Sequence, residues 1–437
     1  MEFASYAEAL THIHSLPRLK RSNTRAELRA VLAHLEHPER QGHFVHVTGT
    51  NGKGSTSNAI AHILQASGPT VGLFTSPFIM RFNERIQIDG RPVSDEDIRR
   101  AAGQVQTAID DLRVQEQAFA LKEFEFVTCM CFLIFANHGV DLAVIEVGIG
   151  GTHDSTNVIM PEVSVLTNVA LDHTDILGDT VAEIAHEKAG IIKPGVAVVI
   201  GKLPEDARQE VITRVQTVGA ASLAEFGQDF TASGTPDAQS FSEHLVYRDA
   251  DGKLSGLEFP LIGSYQAQNA AVAIQASKHM AQRLQLPLTN ADIKRGLAAA
   301  SWPVRMERIS TEPLIVLDGA HNPNGIAAAL STLRRVQADS VTLIVGILAD
   351  KAMGQMLAQL ADFDARVILV PVPNNPRAAT AADYKAAGAT DWPVMDWHEA
   401  LAYTLHEEPD SMIVIMGSLY LASAVRQELL EHSTTEK

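Results

Sequence analysis

The chain has 437 residues, 46% of them hydrophobic and 20% charged, and a formal net charge of −17. That length exceeds one ordinary core and suits two or three domains of globular composition. The acidic balance argues against a nucleic-acid partner, which needs a basic face, and no apolar run approaches the roughly 20 residues that span a bilayer. The two cysteines, Cys129 and Cys131, lie two apart in an apolar, helix-like run. That spacing points them to different faces and makes them buried thiols, as suits a reducing cytoplasm. Residues 1–6 carry an acid and no basic n-region, so they do not read as a signal peptide.

Residues 1–40 are predicted helical, and Ser22, Asn23 and Thr24 are placed to cap a helix whose apolar face is Leu28, Val31, Leu32 and Leu35. A buried strand, 43–48, then runs into Gly49-Thr50-Asn51-Gly52-Lys53-Gly54-Ser55, with a helix beginning near Ser55. Three glycines let successive N–H groups approach an anion, the helix N-terminus adds partial positive charge, and Lys53 adds a full one. The stretch departs from the standard phosphate loop: Val47 stands where the first glycine belongs, and the hydroxyl comes one place late.

Further strands are predicted at 70–77, 141–148, 162–168 and 196–200, with an edge strand and turn within 83–90. Helices fall between them, one opened by the cap Ser94-Asp95-Glu96-Asp97 and another over 181–189. Short apolar strands alternating with helices give a mainly parallel sheet covered on both faces. From 226 to 260 the pattern becomes a small antiparallel insert with a turn at Asp251-Gly252, followed by a long helix from near Gln266. Residues 298–303 form a link, which divides the chain into an ATP-binding domain over 1–300 and a smaller, Rossmann-like α/β domain over 301–437. The second domain has strands at 314–317, 341–345, 366–370 and 412–416, a helix over 325–336, and a frayed tail at 431–437.

Ligands of parallel sheets bind beyond the carboxyl ends of strands, where residues 48–55, Ser76, Glu146 and Asp172-His173 fall. Glu146 ends an apolar strand, where a carboxylate is costly unless paired or bound to a cation, and Mg²⁺ carrying ATP phosphates fits it. Lys188 by itself reads as a surface lysine near a helix C-terminus. Asp318 is another acid at a strand end. With Arg305, just past the link, it has the chemistry to grip a nucleotide when a domain cleft closes.

These motifs, in this order over nearly the whole length, resemble the folylpolyglutamate and dihydrofolate synthases of the Mur-ligase superfamily. The matching residues include 48–55, Thr75-Ser76-Pro77, Asn83-Glu84-Arg85-Ile86, 146–157, Leu171-Asp172-His173, 186–195, Asn269-Ala270, Arg305, 318–323 and Gly417-Ser418-Leu419-Tyr420-Leu421. The resemblance implies a Mur-ligase ATPase domain followed by a glutamate-ligase domain. The reaction it implies is ATP-dependent addition of L-glutamate to the γ-carboxylate of a folate through an acyl phosphate.

Residue by residue, Gly49, Thr50, Asn51, Gly52, Lys53, Gly54, Ser55, Asn269, Arg305 and Asp318 would bind ATP. Ser76, Glu146, His173 and a CO₂-derived carbamate on Lys188 would hold Mg²⁺, with K⁺ as a further cation. Lys188, Asp318 and His321 would serve catalysis, His321 by assisting acyl transfer. Phe78, Arg85, Phe124, Phe126, Thr152, His153 and Asp154 would hold folate. The implied protein is a cytoplasmic monomer whose partners are its substrates, folate and L-glutamate.

Three positions depart from many relatives: Thr152 replaces an arginine, Phe78 a histidine, and Tyr265 the histidine before Gln266. They lie closer to the polyglutamylating branch than to a bifunctional dihydrofolate/folylpolyglutamate synthase, which stays open as the alternative. A cell-wall Mur ligase and a non-catalytic ATP-binding scaffold are weaker readings. The first would carry an N-terminal UDP-binding domain, and the second usually loses the loop lysine or the metal acid.

Overall fold

In the computed structural model the residues described are 2–17, 25–114, 119–389 and 391–435. The expected cap at Ser22, Asn23 and Thr24 lies outside them. The helices that flank it span Tyr6–Ser15 and Ala26–His34. The expected tail is helical in backbone as far as Thr435, and residues 436–437 lie outside the described part.

Eight strands make the first sheet: β1 His43–Thr48, β2 Val71–Phe74, β3 Ile86–Ile88, β4 Arg91–Pro92, β5 Leu142–Glu146, β6 Val163–Leu166, β7 Ala197–Ile200 and β8 Ser222–Glu225. Their order is β4-β3-β2-β5-β1-β6-β7-β8. The strands from β2 through β8 are parallel, and β3 and β4 add an antiparallel edge. β1 is central, between β5 and β6, because its residues from Phe44 to Thr48 are apolar or hydrogen-bonded and tolerate burial on both faces. One face is covered by a core that joins Phe44, Phe74 and Ile145 to the helix Glu123–Asn137. That helix is buried almost all round, and Cys129 and Cys131 are free thiols within it. Phe126 is fully buried there, worth about 2 kcal/mol by transfer of its ring from water.

The insert is a three-stranded sheet, β9 Thr231–Asp237, β10 Ser242–Asp249 and β11 Gly252–Phe259, in the order β11-β10-β9. Gly252, at φ +122°, makes the expected turn. The last sheet holds β12 Glu307–Thr311, β13 Leu314–Leu317, β14 Val341–Val345, β15 Arg366–Leu369 and β16 Met412–Met416, in the order β12-β13-β16-β14-β15. All its pairings are parallel except β12 on β13.

The chain forms two compact units. The first holds Met1–Ala232, Val246–Leu257 and Gln268–Ala300, and the second Ser233–Leu245, Glu258–Ala267 and Ser301–Lys437. The link falls at Ala300/Ser301, and parts of the insert belong to the second unit. Three of the described strands have no counterpart among the sequence-based expectations, β4, β8 and β12. All are sheet edges with polar residues and incomplete burial, so none presents an apolar run. Among the described residues no helix is long and apolar enough to cross a membrane.

Candidate active site

In the first unit, β1 ends at Thr48 and the helix Lys53–Ala66 starts two residues earlier than the sequence indicates, with Gly52 at its N-terminus in the left-handed region, φ +80°. A Cβ at Gly49 would lie 1.9 Å from Thr167 Oγ1, and one at Gly52 would lie 2.6 Å from Asn269 Oδ1, so a side chain at either position would displace a residue that shapes the loop. The end of β6 holds the loop. Asn168 Oδ1 accepts from the N–H groups of Thr50 (3.2 Å) and Asn51 (2.8 Å), and Thr167 Oγ1 donates to Asn51 O (2.6 Å). Gly54 and Ser55 form the first helical turn, and Ser55 is buried.

Two ammonium groups converge on this loop. Lys53 Nζ donates to Gly49 O (3.0 Å) and Thr50 O (3.2 Å), and Lys188 Nζ donates to Gly49 O (2.9 Å). Lys188 is not the surface lysine its sequence position suggests. It is 4% exposed, because the helix Val181–Ala189 packs on the loop after β5, where a Cβ at Gly151 would meet Lys188 O at 2.5 Å. Burial, and then the charge of Lys53, pull the Lys188 ammonium down to about 7.

Glu146 ends β5 in register with Val47 and is 3% exposed, its Oε2 accepting from Ser76 N (3.1 Å). Ser76 is thus brought to Glu146. His173 is exposed, in the left-handed region at φ +50°, at the head of the short helix Thr174–Leu177, where its N–H donates to Asp172 Oδ1 (2.9 Å). Among the described residues no three His, Cys, Asp or Glu gather as metal ligands. The expected set contains only two of those types, Glu146 and His173, alongside a hydroxyl and a modified lysine.

The residues expected to hold folate separate into three groups. Phe124 stacks on Phe74 (5.9 Å between centroids), and the Arg85 guanidinium lies 5.3 Å from the Phe78 ring centre. Phe126 is in the core, since the two-residue offset from Phe124, about 200° around the helix, turns its ring to the opposite, inward face. Thr152 and Asp154 serve their own loop. Thr152 N and Oγ1 both donate to Glu187 O (2.9 Å each), and Asp154 accepts from Ile149 N (3.1 Å), Thr156 N (2.9 Å) and Thr156 Oγ1. Burial pushes the Asp154 carboxyl up against those hydrogen bonds. His153 is exposed.

In the second unit, Asp318 directly follows β13 at 3% exposure and accepts from Met306 N and Ala320 N (2.8 Å each). Burial raises its carboxyl and the Arg305 guanidinium opposes the rise. Arg305 lies across Gly319, where a Cβ would sit 2.4 Å from its Nη1. His321 Nδ1 is 2.9 Å from Gly319 O. A carbonyl only accepts, so Nδ1 carries a proton. The structure therefore gathers Arg305, Asp318 and His321 around one turn.

Known proteins resemble the chain along almost its whole length. The model of the Mur ligase middle domain matches residues 47–277, and that of the Mur ligase glutamate ligase domain matches residues 304–419. The folylpolyglutamate synthase of Lacticaseibacillus casei is 50% identical over 98% of this chain and 99% of its own length. The chain belongs to the folylpolyglutamate synthase family of Mur ligases. A dihydrofolate synthase/folylpolyglutamate synthase of Bacillus subtilis is more distant, 34% identical over 98% of this chain and 100% of its own. A folylpolyglutamate synthase structure in complex with AMPPCP and folate superposes with a TM-score of 0.89 at 48% identity, covering 98% of this chain and all of the other.

Two residues that shape the loop, Thr167 and Asn168, belong to no motif that the sequence displays. Asn168 stood out only as the end of a strand. Its sequence signal is a side-chain amide just past a strand that neighbours the phosphate loop, and that adjacency depends on strand order.

Proposed function

We propose that this chain joins L-glutamate to the γ-carboxylate of folates at the expense of ATP. The observation that carries the reading is the convergence of Lys53 and Lys188 on Gly49 O of the phosphate loop, beside the strand that ends in the buried acid Glu146. Family membership supports it, as does the relative that binds an ATP analogue and folate together.

A carboxylate is a poor electrophile. Attack of the folate γ-carboxylate on the γ-phosphorus of ATP expels ADP and leaves an acyl phosphate. The amine of glutamate then attacks the acyl carbon, and phosphate leaves. Residues 49–55 and Lys53 would receive the phosphates, with Lys53 exchanging loop carbonyls for phosphate oxygens. Asn269, Arg305 and Asp318 would take the rest of the nucleotide. His321, protonated at Nδ1, would offer Nε2 to the proton that the amine must lose. Phe78, Arg85 and Phe124 would hold the folate, and we assign Thr152 and Asp154 to shaping the adjoining loop.

The donor set fits Mg²⁺: the Ser76 hydroxyl, the Glu146 carboxylate, the His173 imidazole and carbamate oxygens on Lys188 are hard or borderline ligands. Bound there, the ion would neutralise phosphate charge, with K⁺ as a further cation. The carbamate requires a neutral amine, which joins CO₂ and releases a proton, and a lysine drawn down to about 7 supplies that amine at neutral pH. We place the enzyme in the cytoplasm, which suits its free thiols.

The deciding experiment is ATP-dependent incorporation of labelled L-glutamate, with a reduced folate monoglutamate and with dihydropteroate in parallel. Incorporation with the folate alone is expected. Incorporation with both would make the chain bifunctional, and incorporation with neither would remove the ligase reading.

A further inference from the structure

A protein of net charge −17 repels polyanions. A folate that has gained several γ-linked glutamates is a polyanion, because each addition leaves one more free α-carboxylate. Among the described residues of the first unit, three cations gather along the segment between β5 and β6. Arg25 Nη1 donates to Thr152 O (2.6 Å) and Asp154 O (3.1 Å), and its Nε and Nη2 carry three further N–H donors. Arg29, one turn along the helix Ala26–His34, is exposed, and its N–H bonds Arg25 O (2.9 Å). Lys193 Nζ donates to Ile159 O, farther along the same segment between β5 and β6.

The charges of these groups reach one another. Burial, then the charges of Arg25 and Arg29, draw Lys193 down to about 8, and Arg29 acts likewise on Arg25 after burial. Two acids oppose them, and both are engaged. The Asp154 carboxylate turns inward onto Ile149 and Thr156, and Glu187 Oε1 accepts from His153 N (3.1 Å). In sequence, residues 18–29 carry five basic residues, Arg18, Lys20, Arg21, Arg25 and Arg29, against the single acid Glu27. The loop that Arg25 and Lys193 grip follows directly on Glu146, and its Gly151 packs on Lys188 O. The cluster therefore stands one loop away from the residues assigned to acyl-phosphate chemistry.

We propose that Arg25, Arg29 and Lys193 bind the α-carboxylates of the γ-glutamyl tail of the folate substrate, so that affinity rises as the tail lengthens. The proposal rests on the ligase reading. Guanidinium groups suit the role, since they are weakly hydrated and bind carboxylates through paired N–H donors. Each tail carboxylate is accessible to solvent, so each contact changes affinity by about threefold and weakens with added salt.

The test measures KM for reduced folates bearing one, two and three glutamates, in the wild type and in Arg29→Gln, with Lys193→Gln as a second variant. In the wild type KM falls by about threefold or more from one to three glutamates, and the fall shrinks in 0.5 M salt. In both variants the fall flattens. A flat series in the wild type, or an undiminished fall in both variants, overturns the proposal. Calorimetric titration with a tri-γ-glutamate peptide reads the site without turnover. Binding that is weaker in Arg29→Gln supports it, and equal displacement of the peptide by inorganic phosphate at matched charge makes it a general anion site and overturns it. Absence of glutamate incorporation from every folate would instead defeat the ligase reading, which separates the two failures.

Discussion

An ammonium group 4% exposed beside a second ammonium group gives up its proton easily, and for Lys188 that sets both chemistry and stability. The carbamate proposed on Lys188 would form from the neutral amine. After removal of CO₂, reactivation at fixed dissolved CO₂ should therefore be about tenfold faster at pH 8 than at pH 6, as the neutral fraction rises through about 7. Rates independent of pH would show that Lys188 is not the group modified. The stability effect has a definite sign. The folded pKa lies below the ordinary value of 10.5, so between about 7 and 10.5 the unfolded chain binds more protons, and folding gains stability as pH rises through that window. Chemical denaturation of the unmodified protein from pH 7 to pH 9 should show a gain that Lys188→Met lacks. Glu146→Gln keeps an oxygen for the Ser76 N–H but removes the charge that the metal role requires, and kcat for glutamate incorporation should fall by about 100-fold or more. A variant that ligates at a normal rate would take Glu146 out of the mechanism.

At the scale of elements, the phosphate loop keeps its shape because strand and helix ends on every side are pinned. The helix behind it, Lys53–Ala66, is crossed by the helix Asn290–Ala299 at Gly296, where a Cβ would come within 2.4 Å of Ile63 Cα. Backbone cannot yield as a side chain can. Gly296→Ala should cost about 1–3 kcal/mol in denaturant unfolding, more than any gain in helix propensity returns. The elements legible in the sequence were those whose apolar run matched burial, such as β1, β5, β14 and β16. The edge strands β8 and β12 were not legible, because an edge needs no continuous apolar run and is specified by its neighbour's hydrogen-bonding groups.

At the scale of the whole molecule, the second unit draws together residues from three separate stretches. Glu243 is fully buried, with Arg335 Nη2 donating to its Oε2 (3.1 Å) and Gly263 N to its Oε1 (3.0 Å), and Arg335 Nη2 also reaches Gly234 O (3.2 Å). Arg335→Leu would leave that carboxylate buried without its cation. It should destabilise the unit by about 3–5 kcal/mol, measured as a shift of its urea midpoint. An effect below about 1 kcal/mol would mean that water or Gly263 alone satisfies Glu243.

By itself the sequence determined the chemistry on offer: a glycine-rich anion loop with Lys53, an acid at the end of each of two apolar strands, an acidic surface, and motifs enough to place the family. These are local properties, carried by residue type and spacing along one strand, loop or helix. Tertiary structure alone decided which groups meet. It buried Lys188 against Gly49 and so lowered its proton affinity, and it pinned the loop with Asn168. It also turned Phe126 into the core, closed Asp154 onto its own loop and collected Arg25, Arg29 and Lys193 into one cationic patch. Each of those outcomes depends on strand order and helix packing between residues far apart in the chain. Proton affinity and pairing depend on distance and burial, which no window of sequence contains.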